Sequence, residues 1–213
     1  FIPNYGKSVS IMRSKIRQSE SLLGRSVLLV FACLLIMEFD AIGSDDIDTL
    51  RSSGNCVNCR LDGIQIEKEE FIGADLRNSS LNAVDFQAVN LQRANLSGAQ
   101  LHDATLAGVN CRGCQFKQAD LEGANLFYFF AEKADFSGAS LRAARLGGAR
   151  FTYANFSDAD LTGAIFVSTD LSHSDLTGAN LSDTYLGSIV LNGNRISSAY
   201  LRGAQMTSAN LNG

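Results

Sequence analysis

Four cysteines are the residues best spaced for chemistry. Cys56-Val57-Asn58-Cys59 and Cys111-Arg112-Gly113-Cys114 are both CxxC. That spacing serves a zinc thiolate site, a redox dithiol or a short disulfide. Two such pairs together invite a four-thiolate zinc reading. The two histidines, His102 and His173, are the only imidazoles. No glycine-rich phosphate loop follows a strand and opens a helix. Which of these groups can meet depends on the elements that carry them.

Those elements are set by a five-residue period. From Leu61 to Leu211 every fifth residue is a candidate core position, and 26 of these 31 hold Leu or Phe. The exceptions, Ile66, Cys111, Ala131, Ile196 and Met206, are uncharged. We call these positions centres. Two residues before each centre, from Ile64 to Ala209, 17 of 30 positions are alanine. The residue just before the centre is often Asp or Asn, as at Asp75, Asn95, Asp120, Asp135, Asp160 and Asn180. Glycine recurs two residues after it. A period of five fits neither a helix at 3.6 nor a strand at two. Alanine two before leucine puts both on one side of extended backbone. A corner with permissive dihedrals must then follow. Short strands joined by frequent corners make a coil, and stacked coils make a solenoid.

Runs such as Ala74-Asp75-Leu76-Arg77-Asn78 and Ala179-Asn180-Leu181-Ser182-Asp183 resemble the A(D/N)LXX motif of the pentapeptide-repeat family. The resemblance implies an all-β fold: a right-handed quadrilateral β-helix with four pentapeptides per coil. Thirty-one units imply about 7–8 coils, a rod on the order of 37 Å long at the strand spacing. Read in steps of 20, Phe116, Phe136 and Phe156 fall in one core column and predict an aromatic ladder. Phe129 and Ala131 exchange the small and large positions, a size swap that conserves core volume.

The geometry decides the cysteines. The two CxxC pairs are separated by about 2.75 coils, roughly 13 Å along the axis, so one zinc ion cannot bridge them. Cys111 and Cys114 fall on the two inward positions and are read as small buried apolar side chains, with a disulfide between them as the alternative. Cys56 and Cys59 precede the regular repeat, and a short disulfide loop is expected there. A thioredoxin-like site lacks its βαβ context. His102 and His173 fall on different coils. No catalytic residue, cofactor site or metal site is expected, and the chain is read as not an enzyme.

Three regions are expected along the chain. Residues 1–43 form an N-terminal extension resembling a secretory signal, with Met12 as the initiator. Basic residues Arg13, Lys15, Arg17 and Arg25 precede the uncharged run Ser26–Met37, and Ala41-Ile42-Gly43 supplies small residues for cleavage. Residues 44–60 form a cap or linker with the first CxxC. Ser44 suits a helix N-cap, and Ile47 and Leu50 lie three apart. Residues 61–213 form the solenoid. Export to a periplasm or comparable lumen is expected, with a cytoplasmic location as the alternative.

The formal net charge of -4 is too mild to name a partner, and with no basic stripe no direct nucleic-acid binding is expected. No membrane span is expected in the mature chain. Leu141 is expected inward and Ser140 outward. The outward positions are mostly polar or glycine, with one apolar exception. Phe127, Tyr128, Phe130, Arg150, Ile165, Val167, Tyr185 and Val190 form the expected partner-binding patch, with Arg150 stacking on Phe130 and pairing with Asp170. The alternative is that these residues cover one another or a terminal segment. The expected role is a non-catalytic exported scaffold whose partner is an unknown protein. A homodimer through the apolar corner or the C-terminal end is a second outcome. A different class is a DNA mimic that binds gyrase, as the resemblance implies for some family members. Residues 44–213 carry 19 acidic against 13 basic side chains, but Arg142, Arg145 and Arg150 interrupt the acidic character.

Overall fold

The structure, a computed structural model, describes residues 45–195 and 197–206. These all belong to the unit Gly43–Gly213. The expected export segment, the Ser44 cap, Ile196 and Leu211 lie outside the described residues.

Residues 45–53 form helix α1. Its apolar side is Ile47, packed on the core, and Leu50, which is buried. The Asp46 carboxylate accepts the Arg60 backbone N–H at 2.7 Å, and Arg51 pairs with Glu69 at 2.7 Å. These bonds tie the helix to the first coils. Glu69 stands where the repeat has alanine, and this ion pair accounts for it.

Stacked coils follow. Strands β1 (Gln65–Glu67) and β2 (Asp85–Gln87) pair in parallel with Ile66 opposite Phe86. Single parallel bridges continue the same offset of 20, from Asn55 with Asp75 to Tyr185 with Gln205. Each coil is therefore four pentapeptides, and the architecture is a right-handed quadrilateral β-helix. The ladder starts at Asn55, one unit before the Leu61 expected from sequence. Cys56 thus lies in register beneath Leu76, as a centre in its own right.

The pentapeptide around Leu76 satisfies all five of its backbone donors, and the way it does so explains the motif's composition. Around Leu76, the Leu76 N–H donates to Asn95 and the Asn78 N–H to Ser97, both in the next coil. The Asp75 N–H donates to Gly54 in the previous coil. The Ser79 N–H closes the turn onto Leu76 at 3.2 Å. The fifth donor, one residue after the centre, is left to a side chain. Asp or Asn before the centre takes it: Asp120 accepts from Glu122, Asn155 from Ser157 and Asp160 from Thr162, each at 3.0 Å. This Asx turn is why the position favours Asp and Asn. The turn also needs a positive φ at its third residue. Every residue two after a centre, from Asn58 to Gly203, has it, whether glycine or not.

The core is the inside of the coil. Each centre from Cys56 to Leu186 is buried, and so is each small position from Ala74 to Ile189. Phe129 and Ala131 are both fully buried, and Phe129 tilts against Phe116 and Phe151 at 6.2 and 6.3 Å. Three of the hydroxyls that replace alanine donate to a carbonyl: Ser79 to Cys56 at 2.6 Å, Thr169 to Leu146 at 2.7 Å and Thr184 to Leu181 at 2.8 Å. A buried hydroxyl without such a partner costs about 1–3 kcal/mol.

Candidate protein-binding face

The cysteines are resolved first. Cys56 is joined to Cys59, and Cys111 to Cys114, each pair with Cα atoms 5.3 Å apart. The reading of Cys111 and Cys114 as unlinked apolar side chains is corrected. Both pairs occupy a centre and the small position three residues later. The intervening turn brings those two positions together at a separation suited to a disulfide.

One side of the coil stands apart from the other three. Its centres are Leu126, Leu146, Phe166 and Leu186. Its outward residues are held in register by the bridges Asn125 with Arg145, Arg145 with Ile165, and Ile165 with Tyr185. Across it Phe127, Ile165, Val167 and Tyr185 expose 37, 37, 42 and 39% of their surface. Tyr128 is exposed at the neighbouring corner. Glycines shape the relief. A Cβ on Gly147 would collide with the Phe127 ring, and one on Gly148 would come within 2.7 Å of the Tyr128 ring. The two rings therefore lie over the backbone of the next coil. Gly187 makes similar room for Tyr185. The signal was present in the sequence: Gly147-Gly148 stands 20 residues after Phe127-Tyr128.

The expected patch divides at this point. Phe130, Arg150, Asp170 and Val190 form a separate bridged column on the adjoining side. Phe130 and Val190 are only partly exposed. The Phe130 ring lies between two guanidinium groups, those of Arg112 and Arg150, each 5.5 Å from its centroid. Arg150 stacks as expected but does not reach Asp170 among the described ion pairs. Asp170 instead accepts the Ser172 N–H at 2.9 Å.

Some surface arginines are paired, and others, among them Arg93, Arg145 and Arg150, have no ion pair among the described residues. Arg142 pairs with Asp160 at 2.9 Å, Arg112 with Glu132 at 3.0 Å and Arg195 with Asp175 at 3.0 Å. Arg145, exposed in the middle of the apolar side, has no carboxylate within pairing distance among the described residues. Among the outward residues from Asn125 to Tyr185 on this side, only Arg145 and Tyr185 ionise. Such a surface can desolvate against an apolar partner and pair with one acid. It offers no acid–base couple for catalysis. No helix among the described residues is long and apolar enough to cross a membrane.

A family model of pentapeptide repeats matches in eight copies, over residues 70–106, 94–127, 132–166, 154–193 and 174–213. No curated protein matches the chain at a significant level. Among solved structures, the chain is similar to trypsin-treated QnrB1, a plasmid-mediated fluoroquinolone resistance protein, at 20% identity. The match covers 68% of this chain and 72% of that one, with a TM-score of 0.45. HetL of the cyanobacterium Nostoc, involved in heterocyst differentiation regulation, is 23% identical over 79% of this chain and 96% of its own, with a TM-score of 0.32. A pentapeptide repeat protein of the Arabidopsis thaliana thylakoid lumen is 22% identical over 62% of this chain and 72% of its own, with a TM-score of 0.20.

Proposed function

The chain belongs to the pentapeptide-repeat family, and on that premise we propose that it is a non-catalytic scaffold. It binds a protein partner through the side bearing Phe127, Ile165, Val167 and Tyr185. The observation that carries this reading is the contrast between that side and its neighbours. It gathers four exposed apolar groups over neighbouring coils around an unpaired Arg145, where the adjoining side exposes Ile72 and Tyr153 about four coils apart. Aromatic and Arg side chains are what protein interfaces concentrate at their centres. The partner therefore presents an apolar surface with a carboxylate opposite Arg145.

The test compares the full chain with Phe127→Ser/Tyr185→Ser and with Arg145→Glu. Partner capture disappears in both while the melting temperature stays within a few degrees. Retained capture in both variants sinks the reading. A fall in melting temperature of the double variant instead assigns the rings to stability. Sedimentation of the wild-type chain decides whether the partner is a second copy.

Two further points belong to this proposal. The disulfides at Cys56–Cys59 and Cys111–Cys114 support an oxidising compartment, hence export. Cell fractionation tests it, and a reduced protein in the cytosol would refute it. The alternative of DNA mimicry calls for a continuous acidic surface. Arg112, Arg142, Arg145 and Arg150 within about two coils argue against it. Inhibition of gyrase supercoiling by the purified chain would reverse that preference.

A further inference from the structure

One rung of the solenoid's polar ladders carries two carboxylates. In seven of the fourteen units from Leu61 to Leu211 that have Asp or Asn before the centre, Ser or Thr stands one residue after it. Asp160 with Thr162, Asp175 with Thr177 and Asn180 with Ser182 are examples. The hydroxyl or N–H of the second residue bonds to the first. Asp120-Leu121-Glu122 places a second carboxylate there instead. Stacking by 20 then sets His102 beside Glu122, one coil away.

One ligand atom each from His102, Asp120 and Glu122 lies within 4.8 Å of the others. Asp120 uses one oxygen to accept the Glu122 N–H at 3.0 Å, and its second oxygen is left over. The next cation up the column, Arg142, is bonded to Asp160 at 2.9 Å and attracts the Glu122 carboxylate only at longer range, without a hydrogen bond to it. The coils on either side are stitched together. Below, Asn82 accepts the His102 backbone N–H at 3.0 Å and Asp62 accepts from the Ser80 hydroxyl at 2.6 Å. Above, Asn180 donates to Thr162 at 2.9 Å. Among the described residues neither the Glu122 carboxylate nor the His102 ring takes part in a side-chain hydrogen bond. The imidazole makes only a 3.5 Å approach to Asp103. Two adjacent carboxylates repel each other unless a proton or cation is shared between them.

We propose that His102, Asp120 and Glu122 form a binding site for one divalent transition-metal ion of the zinc type. Imidazole nitrogen with two carboxylate oxygens is a donor set that zinc accepts, and three protein ligands leave a position for water. Bonds of about 2.0–2.2 Å hold ligand atoms roughly 3–3.5 Å apart, so side-chain rotations of the exposed His102 and the long Glu122 close the remaining gap. Asp103, 3.5 Å from the imidazole Nε2, is the neighbouring carboxylate that could orient the ring.

The test is calorimetric titration of the full, disulfide-bonded chain with zinc chloride, paired with visible absorption of the cobalt(II) form. The wild type and His173→Ala bind one ion per chain with the same affinity. His102→Ala and Glu122→Gln each weaken binding by about tenfold or more and abolish the cobalt absorption. Absence of saturable binding, or equal affinity in His102→Ala, overturns the assignment. Circular dichroism of each variant keeps a loss of fold from being read as a loss of ligand.

Discussion

The ring of Phe136 stacks on that of Phe116 with centroids 4.7 Å apart and planes 4° from parallel. Phe156 extends the stack at 4.9 Å and 5°. The coil spacing imposes this distance, because residues 20 apart sit one strand spacing apart. Phe136→Ala removes the middle ring and leaves a cavity closed on both sides. The expected loss is about 3–5 kcal/mol by chemical denaturation. Phe136→Leu restores the commonest centre residue and is expected to lose far less. Equal losses would mean that the column is not packed as described.

Inward and outward positions alternate one residue apart. Leu141 is fully buried, and Leu141→Asp places an unpaired charge inside the coil, which is enough to unfold the domain. Ser140 faces outward but bridges Asp120 on one side and Asp160 on the other. Ser140→Asp is therefore not the neutral control that phase alone suggests, since it would stack three carboxylates. Ser140→Asn is expected to change stability by less than about 0.5 kcal/mol. Thermal melts of the three variants check the order.

Corner dihedrals can be tested without packing. A Cβ on Gly73 would meet no atom within 4 Å, yet Gly73 has φ +71°. Gly73→Ala isolates the backbone term and is expected to lose about 1–2 kcal/mol. A neutral result would show that the corner relaxes to another turn.

The Asx turns predict the acid response. Thr177's hydroxyl bond lowers the Asp175 carboxyl, against a smaller opposing effect of burial, with help from its N–H and Arg195. Burial raises Asp160, but the bonds from Thr162 and Arg142 together outweigh it, and its pKa is lowered as well. A carboxyl lowered in the folded state stabilises it above the unfolded value of about 3.9. That contribution is lost as pH falls through the lowered folded value. The melting temperature should hold above about pH 5 and fall below about pH 4. Thr162→Ala with Thr177→Ala should flatten that fall. An unchanged acid limb would remove these carboxylates from the account.

Much of this was legible in the sequence because the repeat couples composition to position. Period five placed the core, and the step of 20 placed Phe116, Phe136 and Phe156 in one column. What was not legible depends on contacts between coils. The purpose of Asp or Asn before each centre lies in a bond to a backbone N–H that a sequence does not display. The Cys111–Cys114 link required knowing that the turn closes to 5.3 Å. The apolar patch looked like one corner because exposure was inferred from phase alone. The coil's four sides separate Phe130 and Val190 from Phe127 and Tyr185. His102 seemed isolated because its partners are 18 and 20 residues away in sequence, one coil in space.

The claim that one side of the solenoid binds a protein is tested most directly by site-specific photocrosslinking in cells. A benzophenone side chain at Val167 reports on the apolar side. The same group at Ser157, on the opposite side of the coil, is the control. The account predicts a discrete crosslinked species of defined mass from position 167 that is absent from position 157 and is lost when Arg145→Glu is added. Equal crosslinking from both positions, or a species at 167 indifferent to Arg145→Glu, would contradict it.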